Sequence, residues 1–133
     1  MVVNESFPSN WGPRLLSVLR ITTAFAYLQH GSAKLLGIPK MEMFANLQFA
    51  SIFGVAGVLE LVGGILLLIG LFSRPVAFIL SGQMAVAYFM FHAKTFYSPI
   101  LGGEDAYLYC FVFLYLAAAG PGPWSVDAAR RRA

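Results

Sequence analysis

Charge is scarce in this chain. Of its 133 residues only 11% are charged and 59% are hydrophobic, whereas a soluble domain carries about 25% charged residues. A domain of this size hides a modest share of its surface, so water suits the composition poorly and lipid suits it well. Cysteine is nearly absent: Cys110 stands alone, which excludes an internal disulfide and leaves the redox compartment unreadable from cysteine usage. There is no CxxC pair, no cysteine set for an iron–sulfur cluster and no nucleotide-binding glycine fingerprint. Any redox role therefore needs a bound quinone or a partner that carries the cofactor. The first residues lack the basic start and small-residue cleavage site of a signal peptide. The basic residues are dispersed except for Arg130, Arg131 and Arg132. That run reads as a topogenic or lipid-headgroup signal, and nucleic acid is not an expected partner.

Long hydrophobic runs, by contrast, are plentiful. Four are expected to be transmembrane helices, over about 14–36, 51–71, 76–91 and 106–119. Together they make a single all-α, integral-membrane four-helix bundle covering 1–133. Pro13 suits the entrance of the first helix, and Gly37 followed by Pro39 suits its exit. Gly37 to Ala50 reads as a mixed loop with room for a short interfacial helix. Ser73-Arg74-Pro75 reads as a tight turn, His92 to Asp105 as a structured loop, and Gly120-Pro121-Gly122-Pro123 as a stop followed by a polar tail. An even number of spans puts both termini on one side. Arg14, Arg74 and Arg130 to Arg132 fall there, against Lys34, Lys40 and Lys94 opposite, so the termini are expected in the cytoplasm. Trp11 is placed as an interface anchor, and Phe89, Phe91, Phe96 and Tyr97 fit an aromatic belt or a wall for a flat ligand.

Ionisable groups inside such spans are costly, and they are paired or functional. At about 1.5 Å rise per residue, His30 lies about 9 Å, Lys34 about 3 Å and Glu60 about 12 Å from the non-terminal surface. His92 and Glu104 fall close to that same surface. His30, Lys34, Glu60, His92 and Glu104 are therefore expected to converge in the non-cytoplasmic half, either as a ligand site or as a lock in which Glu60 pairs with Lys34 or His30. Tyr27 extends the His30–Lys34 face by a turn, and Tyr107 shares a stripe with Glu104. Arg20 is expected to snorkel to the opposite headgroups, with Gln83 at a similar level and within reach of it or of another helix. Gly54, Gly57, Gly63, Gly64 and Gly70 predict that helix two is the packing centre, because small residues let helices approach closely.

Ordered along almost the whole chain are Arg20, His30-Gly31, Lys34-Leu35, Gly37, Gly57, Glu60, Gly63-Gly64, Gly70-Leu71 and Arg74. Gly102-Gly103-Glu104, Tyr107, Gly120-Pro121-Gly122 and Ser125-Val126-Asp127 follow. In this order and spacing the chain resembles the DoxX family of small bacterial membrane proteins. The resemblance implies a four-helix bundle in the bacterial inner membrane. It also implies an association with redox work, since relatives include the large subunit of a thiosulfate:quinone oxidoreductase and a mycobacterial member tied to membrane thiol oxidoreductase activity. Where many members carry an Asn before the paired glycines, this chain reads Tyr97-Ser98-Pro99-Ile100-Leu101, so no polar contact is expected from that position.

Two functions are expected from different classes. One is a quinone- or thiol-linked subunit of a membrane oxidoreductase system, in which His30 and Lys34 donate to a quinone carbonyl or an anion and Glu60 relays protons. It would have no intrinsic cofactor and no catalytic motif of its own. The other is a non-enzymatic accessory subunit, or a small-molecule or lipid binder, packed against a larger membrane complex or a second copy. Haem ligation by His30 and His92, or a metal among His30, Glu60, His92 and Glu104, is poorly supported by two histidines on different helices. Transport would need oligomerisation, since no two-repeat architecture is present.

Overall fold

The computed structural model describes residues 7–37, 51–92 and 103–132. Among these the protein is helical throughout. It comprises α1 (Phe7–Leu35), α2 (Ile52–Ile69), α3 (Ser73–Ala87), α4 (Gly103–Ala119) and a short α5 (Val126–Arg132), with a π-helical turn at Tyr88–His92 extending α3.

Side-chain contacts fix the topology. Leu68 meets Arg20 and Glu60 meets Lys34, so α1 and α2 run antiparallel. Arg74 meets Ala118 and Ser81 meets Cys110, so α3 and α4 do too. The bundle is thus up-down-up-down, assembled chiefly from two antiparallel pairs, α1 with α2 and α3 with α4. Helix two does not prove to be a hub with equal neighbours. Its glycines still touch both sides: a Cβ on Gly64 would meet Leu28 of α1, and one on Gly63 would meet Leu80 of α3. Helices α1 and α2 meet backbone to backbone at Gly31, where an added Cβ would lie 2.5 Å from the Leu61 backbone N and 2.8 Å from the Gly57 carbonyl O.

Local chemistry sets the boundaries. Ser51 caps α2, its Oγ accepting from the Gly54 N–H, and Gly70 closes it at φ 76°, its N–H donating to the Leu66 and Leu67 carbonyls. Helix one begins earlier than Pro13, which sits inside it. As the seventh helical residue, Pro13 lies past the first turn and removes the hydrogen bond to the Ser9 carbonyl. Helix four starts at Gly103, before the expected 106, with Glu104 and Asp105 in its first turn, where carboxylates favour the positive end of the helix dipole. The expected polar tail contains α5 instead.

The expected membrane spans are the main departure: among the described residues, no helix is long and apolar enough to cross a membrane. Helix two has 18 residues, α3 15 and α4 17; at 1.5 Å per residue these measure about 27, 22 and 26 Å. A bilayer core is about 30 Å thick. Helix one is longer, but Arg20, Gln29 and His30 interrupt its apolar run.

The outside is nonetheless strongly apolar. Val58, Val62, Ile65 and Ile69 of α2 are exposed, as are Phe78 and Ile79 of α3 and Phe111 and Leu114 of α4. The core is small: Ala24, Tyr27, Leu67, Ala77, Leu80, Met84, Phe113 and Leu116. Arg20 and Glu60 are buried beside it, 1% and 2% exposed.

Candidate functional site

The two buried charges sit at opposite ends of the bundle, and each has a different kind of partner. At the end that holds the start of α1 and the end of α4, Arg20 turns inward. It donates to the Pro121 carbonyl, to the Trp124 carbonyl at 2.7 Å and to the Leu68 carbonyl at 3.4 Å. Ser17 Oγ joins it, donating to Pro121 O at 3.3 Å and accepting from the Trp124 N–H at 3.1 Å. Arg20 therefore does not snorkel. Its guanidinium meets the carbonyls of a turn that has no helix to satisfy them, and a buried carbonyl without a donor is costly. Arg74 does the same for the end of α4, donating to the Ala118 carbonyl. Asp127 caps the start of α3, accepting from the Phe72 N–H at 2.9 Å and the Ser73 N–H at 2.8 Å. Burial alone would push the Asp127 carboxyl up, but those backbone bonds and the nearby Arg130 outweigh it and hold it below its ordinary value.

At the other end the charges serve one another. Lys34 Nζ lies 2.6 Å from Glu60 Oε1. Gln83 Nε2 donates to the same oxygen at 3.2 Å, and Gln83 Oε1 accepts from the Tyr27 hydroxyl at 2.8 Å. Four side chains from α1, α2 and α3 thus form one chain of bonds. Gln83 belongs to this network and not to the level of Arg20, because α3 runs back along α2 with Gln83 beside Ala56 and Glu60. Glu60 Oε2 is buried and makes no hydrogen bond among the described residues.

Aromatic rings wall the network. Tyr27 lies 5.2 Å from Tyr109 and meets Phe113 edge-on at 4.8 Å between ring centres. His30 is exposed, with its ring 6.0 Å from Tyr109. Glu104 is exposed in the first turn of α4, and Tyr107 packs edge-on against Tyr88 at 6.0 Å. The side chain of His92 lies outside the described residues. Tyr27, Lys34, Glu60 and Gln83 therefore come together with His30 alongside, whereas Glu104 and Tyr107 are not in the bonded network. Among the described residues no three His, Cys, Asp or Glu side chains gather as a metal site.

Tyr109 was not foreseen. Its four-residue spacing to Phe113 places both on the inward stripe of α4, a pattern visible in the sequence but hidden among the aromatics of an apolar run. Asp127 was not foreseen as a cap either, since its partners lie over fifty residues away.

A four-helix up-down bundle with a buried acid–base pair in one half defines the class. Within it, the family model for DoxX matches residues 15–93, and the chain belongs to the DoxX family. A relative in Haemophilus influenzae, described as an uncharacterized protein, is 42% identical over 120 residues, spanning 86% of this chain and 90% of the relative. No solved structure matches it.

Proposed function

We propose that the chain is an integral protein of the bacterial inner membrane, with both termini cytoplasmic. There it serves as a redox-associated subunit of a quinone- or thiol-linked oxidoreductase system. The apolar exterior supports the membrane setting: exposed Phe78, Phe89 and Phe111, at 64%, 74% and 65%, would form a large sticky surface in water. Helices somewhat short of the bilayer core are accommodated by local thinning, snorkelling flanks or oligomerisation.

The observation that carries the functional reading is the buried Glu60, with one oxygen held by Lys34 and Gln83 and the other unbonded. An orphan acceptor in a low-dielectric interior is a costly arrangement, and a proton or a ligand hydroxyl at Oε2 relieves it. In this reading a quinone headgroup lies against the Tyr109 and His30 rings. Lys34 or His30 donates to its carbonyl, and Glu60 holds or passes the proton. Electrons come from a cofactor on a partner, because this chain carries no group that stores them.

A second reading also has an observation in its favour. The short Lys34–Glu60 contact, braced by Gln83 and Tyr27, has the form of a lock that fixes three helices in register. The protein would then be a non-enzymatic accessory subunit beside a larger membrane complex or a second copy.

Detergent-purified protein, extracted with organic solvent and analysed by mass spectrometry, tests the first reading. Near-stoichiometric quinone is expected in the parent and loss of it in Glu60→Gln. Absence of quinone from the parent, with unchanged oxidant sensitivity in a Glu60→Gln strain, rejects it. Release of the chain from membranes by an alkaline carbonate wash rejects the membrane setting independently.

A further inference from the structure

The end of the bundle remote from Glu60 carries an open groove of about 470 Å³ between the start of α3 and α5. Its charged lining is Arg74, Arg130 and Arg131 with a single acid, Asp127. Both oxygens of that acid face the α3 backbone, accepting from the Phe72 and Ser73 N–H groups, so the lining keeps a positive balance. Arg130 lies over the Phe72 ring, 5.4 Å from its centre, and Arg131 makes no hydrogen bond or ion pair among the described residues. Phe72 sits at φ 52°, the left-handed region that non-glycine residues rarely adopt. That conformation aims two N–H groups at Asp127 and leaves the ring 53% exposed on the groove wall. Pro75 and Pro121 extend the apolar wall. A cationic mouth on an apolar wall suits an amphiphilic anion better than a bare one. Guanidinium groups suit it further, since their paired N–H groups match two oxygens of a phosphate.

We propose that this groove binds a phosphoester anion, with Arg130 and Arg131 on the phosphate and Phe72 against its apolar substituent. The chemistry is shared by an anionic phospholipid headgroup and a soluble phosphate. The lipid source rests on the membrane reading above; phosphate recognition does not. Basic pockets at membrane surfaces hold such headgroups. The groove is separate from the Glu60 network, so its ligand and a quinone would bind independently.

Native mass spectrometry of the full chain in detergent, titrated with phosphatidylglycerol, phosphatidylcholine or inorganic phosphate, tests this. Phosphatidylglycerol is expected to bind at one per chain and phosphatidylcholine far more weakly. Arg130→Ala/Arg131→Ala should weaken binding by roughly tenfold or more, as loss of two arginine contacts near a membrane surface implies. Arg130→Lys/Arg131→Lys should recover part of it. Arg14→Ala, which removes an exposed charge at the same end but outside the groove, should leave it unchanged. Inorganic phosphate displacing phosphatidylglycerol at similar concentration assigns the groove to a soluble phosphate and keeps the phosphate chemistry. Three results overturn the proposal: equal binding of both lipids, undiminished binding in the double alanine variant that melts like the parent, or an equal loss in Arg14→Ala.

Discussion

The two ends of the bundle spend their charges differently. At the terminal end Arg20, Arg74 and Asp127 all bond to backbone, so each closes a turn or a helix end. At the opposite end Lys34, Glu60, Gln83 and Tyr27 bond to one another, and one carboxylate oxygen is left over. Backbone groups are fixed by the fold, and charges devoted to them are structural. Side chains bonded to side chains can exchange a partner, as the proposed quinone beside Glu60 requires.

The largest expected effect comes from breaking the structural end. Arg20→Met leaves three carbonyls without their charged donor, and hydrogen bonds to charged groups are worth about 1.5–3 kcal/mol each. Detergent-solubilised Arg20→Met should fail to give a cooperative melt, or melt far below the parent. A melt equal to the parent's would show that the Arg20 contacts carry no stability.

Next comes the seam between α1 and α2. Gly31→Ala forces a methyl into backbone at 2.5 Å, which side-chain motion cannot relieve, and should cost about 1–3 kcal/mol. Gly82→Ala meets nothing within 4 Å and should be neutral or stabilising, by up to about 1 kcal/mol through helix propensity. Thermal melts of the two variants side by side check the contrast.

Asp127→Asn turns an amide NH2 towards one of the two backbone N–H groups the carboxylate accepts from, and should cost about 1 kcal/mol, the usual worth of one hydrogen bond. Since the folded carboxyl sits below its ordinary value, its stabilisation is present above the unfolded value near 4 and fades as pH falls through the folded one. The parent should thus lose stability on acidification through that window, and Asp127→Asn should lose less. Identical acid profiles for the two would remove Asp127 from the account.

The smallest stability change is expected at the Glu60 end. Lys34→Met/Glu60→Met replaces an ion pair by apolar groups of similar size, which is often neutral or better in a buried setting. A melt within about 1 kcal/mol of the parent, with quinone lost, sharpens the contrast between the ends. A large destabilisation would favour the lock.

Much of this arrangement was legible in the residues, for a physical reason. Helical rise and an even number of apolar segments suffice to bring Lys34 and Glu60 into one half of the bundle, and the long lysine side chain spans the difference in depth to lie 2.6 Å from the carboxylate. Membership of the family was legible too, in ordered glycines and charges that match over 15–93. Depth arithmetic failed where the partner is not a side chain. Arg20 looked free to reach the headgroups because nothing in its own helix reveals that the turn at Pro121–Trp124 folds back over it. Gln83 was placed with Arg20, whereas it lies ten residues into α3 after Ser73, where that helix has run back along α2 to Ala56 and Glu60. Helix two was overestimated at its end because its apolar run continues past Gly70 into Leu71, whereas α1 and α4 begin earlier than expected, at Phe7 and Gly103.

The Arg20–Pro121 contact joins residues 101 positions apart. During synthesis the arginine emerges well before the carbonyls of Pro121 and Trp124, and of its acceptors only Leu68 is made in between. Until that turn is made, the guanidinium has only the Leu68 carbonyl and its surroundings to serve it. The turn at Pro121–Trp124 therefore completes the first helix, and a chain stopped short of Pro121 leaves that helix with a buried charge whose principal acceptors are missing.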